Sequence, residues 1–122
     1  MKKNERNADI QIKCCSELWD LALNENNRVT IAEAGGITTI LSAMKNHSSN
    51  ANVQEYGCAA LWSLASNENN QVAIAEAHGI IRILSAMNIH SSNASVQEYG
   101  CAALWILASN DENQVTIAEA EC

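Results

Sequence analysis

Cysteine and histidine are the side chains of this 122-residue sequence that could bind a metal or act as nucleophiles. Zinc ligands usually come in close pairs, about two to four residues apart. Here Cys14 and Cys15 are adjacent, and His47 and His90 are 43 residues apart. We therefore predict no metal site and no cofactor. Three cysteines recur at the same 43-residue interval and are interpreted as small buried apolar residues: Cys15, Cys58 and Cys101.

Catalytic chemistry is not expected either. Serine, histidine and acidic residues occur mostly at equivalent positions of successive sequence copies, and a repeated residue is a poor candidate for one unique catalytic constellation. We predict no enzymatic activity. A strongly lowered pKa at Cys14 or Cys15 would be the observation that reverses this prediction.

Tryptophan, tyrosine and glutamate form the pattern with the clearest chemical potential. The three tryptophans, Trp19, Trp62 and Trp105, are spaced by 43 residues. On a helical wheel, Trp62 and Glu55 lie opposite the apolar stripe of their segment. Such a face could bind cations through the rings and carboxylates. Two arrangements remain open: a ladder of indoles open to a ligand, or indoles lying flat against neighbouring helices with only the N–H reaching water.

The common interval comes from a tandem repeat. The segment Val53–Trp62 returns unchanged as Val96–Trp105, and Val29–Ala34 has counterparts at 72–77 and 115–120. A unit of about forty residues cannot bury its apolar face alone and forms a core by stacking on its neighbours. We predict one domain spanning residues 1–122, with two and a half to three repeats of 43 residues, an incomplete last repeat and a flexible tail at 1–8.

Helical periodicity and capping residues predict three helices in each period. Long helices are expected near 9–23, 52–66 and 95–109, and short helices near 27–34, 37–45, 70–77, 80–88 and 113–120. The segment Ile80–Met87 is apolar nearly all round and is predicted to be the most buried element. Gly57 and Gly100 cost about 1 kcal/mol each relative to Ala inside a helix. We interpret them as sites where the backbone of a neighbouring helix approaches closely.

Two segments resemble armadillo repeats of the vacuolar and catenin type: Asn26-Asn-Arg-Val-Thr-Ile-Ala-Glu-Ala-Gly-Gly-Ile37 and Val53-Gln-Glu-Tyr-Gly-Cys-Ala-Ala-Leu-Trp-Ser-Leu-Ala65. The resemblance covers nearly the whole chain. It implies an all-α, right-handed solenoid whose long third helices line a concave groove that binds extended peptides, without enzymatic activity. The family's peptide-gripping Asn is replaced here by Asp20, Ser63 and Ile106. The Trp of nuclear-import members is replaced by Ser16, Ala59 and Ala102.

Charge indicates the kind of partner. The formal net charge is −7, and residues 46–122 contain one Arg against eight acidic residues. An acidic surface disfavours nucleic acid and attracts peptides that carry Lys or Arg.

No apolar run approaches the roughly 18 residues of a membrane span, so we expect a cytoplasmic or nuclear protein without membrane insertion. The predicted peptide-binding residues are Trp19, Trp62, Trp105, Glu55, Glu98, Tyr56, Tyr99, Ser63 and Ile106.

The two ends of the array differ. Lys13, Glu17 and Asp20 replace uncharged residues of later copies, as a polar terminal repeat requires. The last copy keeps an apolar set, which predicts a homodimer through this end: Leu104, Leu107, Val115, Ile117 and Ala118. The alternative to a peptide-binding scaffold is therefore a structural, self-associating repeat fragment with no specific ligand.

Overall fold

The computed structural model describes the backbone from Lys2 to Glu121 and the side chains of residues 8–119. Within that range the chain is helical and contains no strand, which confirms the predicted all-α class. The helices are α1 (Lys2–Leu21), α2 (Glu25–Glu33), α3 (Gly36–Asn46), α4 (Ala51–Leu64), α5 (Glu68–Glu76), α6 (Gly79–Ile89), α7 (Ala94–Leu107) and α8 (Asp111–Glu121). Their boundaries agree with the predicted ones to within about two residues, except that α1 begins at Lys2, within the predicted tail.

Asparagine side chains define where most of these helices begin. The Asn50 Oδ1 accepts a hydrogen bond from the backbone N–H of Val53 at 3.1 Å, and the Asn93 Oδ1 accepts one from Val96 at 3.0 Å. Asn24, Asn67 and Asn110 do the same before α2, α5 and α8. Such caps satisfy backbone donors that have no partner inside the helix. The expectation that capping residues precede the helices is confirmed at Asn50 and Asn67.

The chain reverses between the two short helices through one residue in the left-handed region. Gly35 has φ 87° between α2 and α3, and His78 has φ 68° between α5 and α6. Glycine adopts this conformation without the steric cost that a Cβ atom brings. The second turn therefore holds a histidine in a conformation for which the first turn uses glycine.

Equivalent helices of successive repeats pack side by side. The long helices α1, α4 and α7 stack in that order, α2 lies beside α5, and α3 lies beside α6. The helices α3 and α6 also cover one side of α4 and α7. The apolar core lies between these layers and includes Ile40, Met44, Leu61, Leu64 and Ile83, each fully buried.

Two sequence predictions about packing are corrected. The group that approaches Gly57 is the Met44 side chain of α3, not a helix backbone: a Cβ atom at Gly57 would lie 2.6 Å from the Met44 Cγ. Gly100 faces Met87 of α6 in the same way. The most buried helix is α4, with nine buried residues, because it has a long helix on either side. In α6, by contrast, Ile81 is 54% exposed.

Candidate functional site: an acidic aromatic face

Four aromatic rings form a continuous tract across the three long helices; we call it the aromatic face, comprising Trp19, Tyr56, Trp62 and Tyr99. Each indole packs on the tyrosine of the following repeat, with ring centroids 6.0 Å apart for Trp19 and Tyr56 and 6.0 Å for Trp62 and Tyr99. The rings of Trp19 and Tyr99 are 5.5 Å apart in an edge-on arrangement. These separations are favourable for aromatic pairs.

The contact between Trp19 and Tyr99 joins the outer two long helices across α4, which lies between them. The positions of α4 that face away from the apolar stripe include small side chains at this level. Ala59 is fully buried, and Ser63 is only 6% exposed, so the Ser63 hydroxyl is not freely available at the surface. Ser63, predicted as a peptide contact, therefore lies within the packed structure.

The three tryptophans differ in exposure among the described residues. Trp19 and Trp62 are partly buried against tyrosines, whereas the Trp105 side chain is 76% exposed. The Trp19 Nε1 is buried and has no hydrogen-bond partner in the described part of the chain. A buried donor without a partner costs about 1–3 kcal/mol. The open indole available to a ligand is thus that of Trp105.

Two carboxylates lie close to this face. Burial is the largest effect that raises the pKa of Tyr99, and the negative charges of Glu98 and Glu55 raise it further, followed by Tyr56. Glu98 is exposed and Glu55 is half-buried. The negative charge of a carboxylate opposes the ionisation of a nearby phenol, so both glutamates lie close enough to Tyr99 to act on its charge. The aromatic face is therefore acidic.

The remaining predicted residues are distributed as follows. Ile106 is half-buried against the core. In the predicted self-association set, Leu107 is fully buried and contributes no surface, while Leu104 and Ile117 are partly buried against the core. Val115 is 59% exposed and Ala118 is exposed. The apolar surface at this end consists mainly of Val115, Ala118 and the nearby part of the last long helix.

Buried amides that the sequence analysis did not single out join the short helices of successive repeats. The Asn70 Nδ2 donates to the Leu64 carbonyl at 3.0 Å and to the Arg28 carbonyl of the preceding repeat at 3.1 Å. Asn113 makes the equivalent pair of bonds to Leu107 and Gln71. The signal in the sequence was the asparagine repeated at this position, which reads equally well as a capping residue.

The two buried thiols, Cys15 and Cys58, are shifted away from reactivity. Burial raises the pKa of Cys15 to about 12, with a smaller contribution from Cys14. Burial likewise raises the pKa of Cys58 to about 12, with a smaller contribution from Cys15. Thiols with raised pKa values are poor nucleophiles at neutral pH. The predicted burial is confirmed for both residues, while Cys101 is exposed because no helix of the described chain covers that side of α7.

Among the described residues, no group of three or more His, Cys, Asp or Glu side chains is arranged to hold a metal ion. In the same range no single helix is long and apolar enough to cross a membrane; α5 and α6 meet that criterion only together, and they are bent by 73° relative to each other. Comparisons with protein-family models, with curated proteins and with solved structures give no match for this chain.

Proposed function

We propose that this chain is an armadillo-type protein interaction scaffold that binds an extended peptide bearing Lys or Arg side chains. The observation that carries the proposal is the continuous aromatic face with Glu55 and Glu98 beside it. Rings bind cations over their faces, and neighbouring carboxylates strengthen the attraction. A peptide could follow this surface along the direction in which the long helices stack.

The spacing of the long helices suits an extended ligand. Packed helices lie about 8–10 Å apart, and an extended chain advances about 3.3 Å per residue. Every third ligand residue would then meet an equivalent position of the array. Trp105 and Glu98 are both exposed and lie about two turns apart on α7, so one ligand cation could lie over the indole and another could pair with the carboxylate.

The test is a binding titration with a fluorescein-labelled peptide that carries Lys at every third position. Trp105→Ala should weaken binding by about 1–3 kcal/mol, as loss of an aromatic anchor does. Glu98→Gln should mainly reduce the dependence of binding on salt, because screening acts on the charge. Trp62→Ala should also weaken binding, but this substitution additionally removes the contact with Tyr99.

Controls separate this site from general acidity. Glu112 is an exposed carboxylate at the start of α8, and Glu112→Gln removes the same charge at another place. It should leave the affinity and its salt dependence nearly unchanged. Equal binding by the parent and the Trp105→Ala variant would refute the proposed site. A peptide with Glu in place of each Lys should not bind.

Self-association is the second candidate function, and exposed Val115 favours it. A homodimer through this end would cover that side chain. Sedimentation velocity should show a dimer for the parent and a monomer for Val115→Asp combined with Ile117→Asp. Val29, at the same position of an earlier repeat, is 42% exposed, and Val29→Asp should leave the dimer intact. A monomeric parent at high micromolar concentration would exclude this function.

A further inference from the structure

A largely apolar groove lined by α1, α2 and α3 is a surface that the proposed function does not use. We call it the α1 groove. It has a volume of about 370 Å³, and the residues that line it include Cys14, Glu17, Leu18, Leu21, Ile31 and Ala34. Helices α1 and α2 supply these side chains, and the start of α3 closes one end.

The same surface is covered in the following repeats. Leu64 and Leu107, the counterparts of Leu21, are fully buried, whereas Leu21 is 50% exposed. The helix α3 covers this surface of α4, and α6 covers that of α7. The exposure of Leu21 therefore results from the lack of an equivalent covering helix among the described residues.

The placement of α3 shows which kind of group suits this surface. Its Met44 lies against Gly57, the counterpart of Cys14. Its Leu41 shares a crevice with Ala77, the counterpart of Ala34. The helix α3 therefore lies along both Gly57 and Ala77. Their counterparts in the first repeat, Cys14 and Ala34, both line the α1 groove. The groove has the form of a binding site for a helix.

We propose that the α1 groove binds an amphipathic helix of a partner protein that presents the first three apolar anchors of α3 and α6 and a small residue in place of the fourth. The anchors of α3 are Ile, Ile, Leu and Met at positions 37, 40, 41 and 44, and Ile80, Ile83, Leu84 and Met87 repeat them in α6. Helices recognised in grooves present anchors at this spacing. None of the residues that line the α1 groove belongs to the aromatic face.

Two residues of α1 give the groove a specificity of its own. A Cβ atom at Gly57 would already lie 2.6 Å from Met44 Cγ, so the Cys14 side chain leaves no room for a methionine at the equivalent place of a partner. The partner helix needs a small residue there. Glu17 replaces a buried alanine of later copies, Ala60 and Ala103, and its carboxylate favours a partner with Lys or Arg on that side.

The experiment uses the full chain and two acetylated, fluorescein-labelled peptides with the sequence of residues 35–47. One peptide keeps Met44, and the other carries Met44→Ala; both contain Lys45. Fluorescence anisotropy should show that the alanine peptide binds at least tenfold more tightly. Cys14→Gly in the chain should reverse this preference. Equal affinities of both peptides for the parent chain, or no binding of either at millimolar concentration, would overturn the proposal.

A matched pair of variants locates the binding. Leu21→Arg places a charge in the groove and should abolish binding, while Leu23→Arg, at a position 61% exposed and outside the groove, should not. Circular dichroism of each variant should match that of the parent chain, which checks that both variants fold. Unchanged binding by Leu21→Arg would contradict the site. Trp105→Ala, which tests the proposed site for the basic peptide, should leave the affinity for the helical peptide unchanged, so the two proposals can fail separately.

Alkylation of Cys14 provides a second measurement that needs no substitution in the groove. Cys14 is exposed and should react with iodoacetamide, and the alanine peptide should slow this reaction in proportion to occupancy. Unslowed alkylation at saturating peptide would contradict binding in the groove. If protection instead rises with the concentration of the chain alone, a second copy occupies the groove, and the partner-helix proposal is wrong.

Discussion

Replacing Asn70 by alanine tests whether the buried amides hold successive repeats together. The Asn70 side chain is 3% exposed, and its Nδ2 donates two hydrogen bonds, to the carbonyls of Arg28 and Leu64. A typical hydrogen bond contributes about 0.5–1.5 kcal/mol net, so the loss of two should cost about 1–3 kcal/mol. The cap of α5 is unaffected because Asn67 provides it.

The expected shift in melting temperature follows from the size of the chain. Unfolding entropy is about 2.1 cal/mol/K per residue, which for this chain means that 1 kcal/mol corresponds to about 4 °C. Asn70→Ala should therefore lower the melting temperature by about 4–12 °C, measured by far-ultraviolet circular dichroism. Guanidinium titration of the same variant should give a lower midpoint with a similar slope.

Asn27 supplies the matched control. It occupies the same position of the preceding repeat, but its Nδ2 donates to a single carbonyl, that of Leu21, at an exposed site. Asn27→Ala should cost less than about 1 kcal/mol, since only one hydrogen bond near water is lost. If Asn70→Ala destabilises the chain no more than Asn27→Ala, the bond between repeats contributes nothing and the reasoning is refuted.

Three further predictions concern stability. Gly57→Leu should lower the melting temperature, because added atoms collide with buried Met44 and overpacking costs about 1–3 kcal/mol; an unchanged melt would show that the helices separate freely. His78→Gly should raise the unfolding free energy by about 0.5–1 kcal/mol by relieving the left-handed conformation, and a loss of stability in the same denaturation assay would contradict that reason. Cys15 and Cys58 stay neutral in the fold, with pKa values of about 12, but ionise from about 9 when unfolded, so stability should be complete below pH 9 and fall as pH rises toward 12. Cys58→Ala should reduce that fall in pH-dependent denaturation, and an equal fall in both proteins would refute the assignment.

Part of the candidate site was predictable from the sequence. The helical wheel placed Trp62 and Glu55 on the same side of the long helix. In the structure the Tyr99 ring packs against Trp62 and lies near Glu55. The pairing of each tryptophan with the tyrosine of the next repeat could not be predicted. A helical wheel gives the direction in which a side chain leaves its own helix, but not which ring of a neighbouring helix it meets.

The same limit explains why residues at equivalent positions of the repeat differ in solvent exposure. Cys58 and Cys101 occupy one position of the repeat, yet the first is fully buried and the second is exposed. Leu21 and Leu64 differ in the same way. Periodicity assigns identical environments to identical residues, whereas burial depends on which helix lies alongside.

The sequence by itself determined the secondary structure of this protein. Helix periodicity, asparagine caps and the 43-residue interval depend on contacts within a few residues, so local physics places α2 to α8 close to their observed bounds. Only the tertiary structure decided which groups meet: Trp19 with Tyr99, and Asn70 with the carbonyl of Arg28. Those contacts join residues far apart in the chain, and they arise from the angle and spacing at which whole helices stack, which no local pattern encodes.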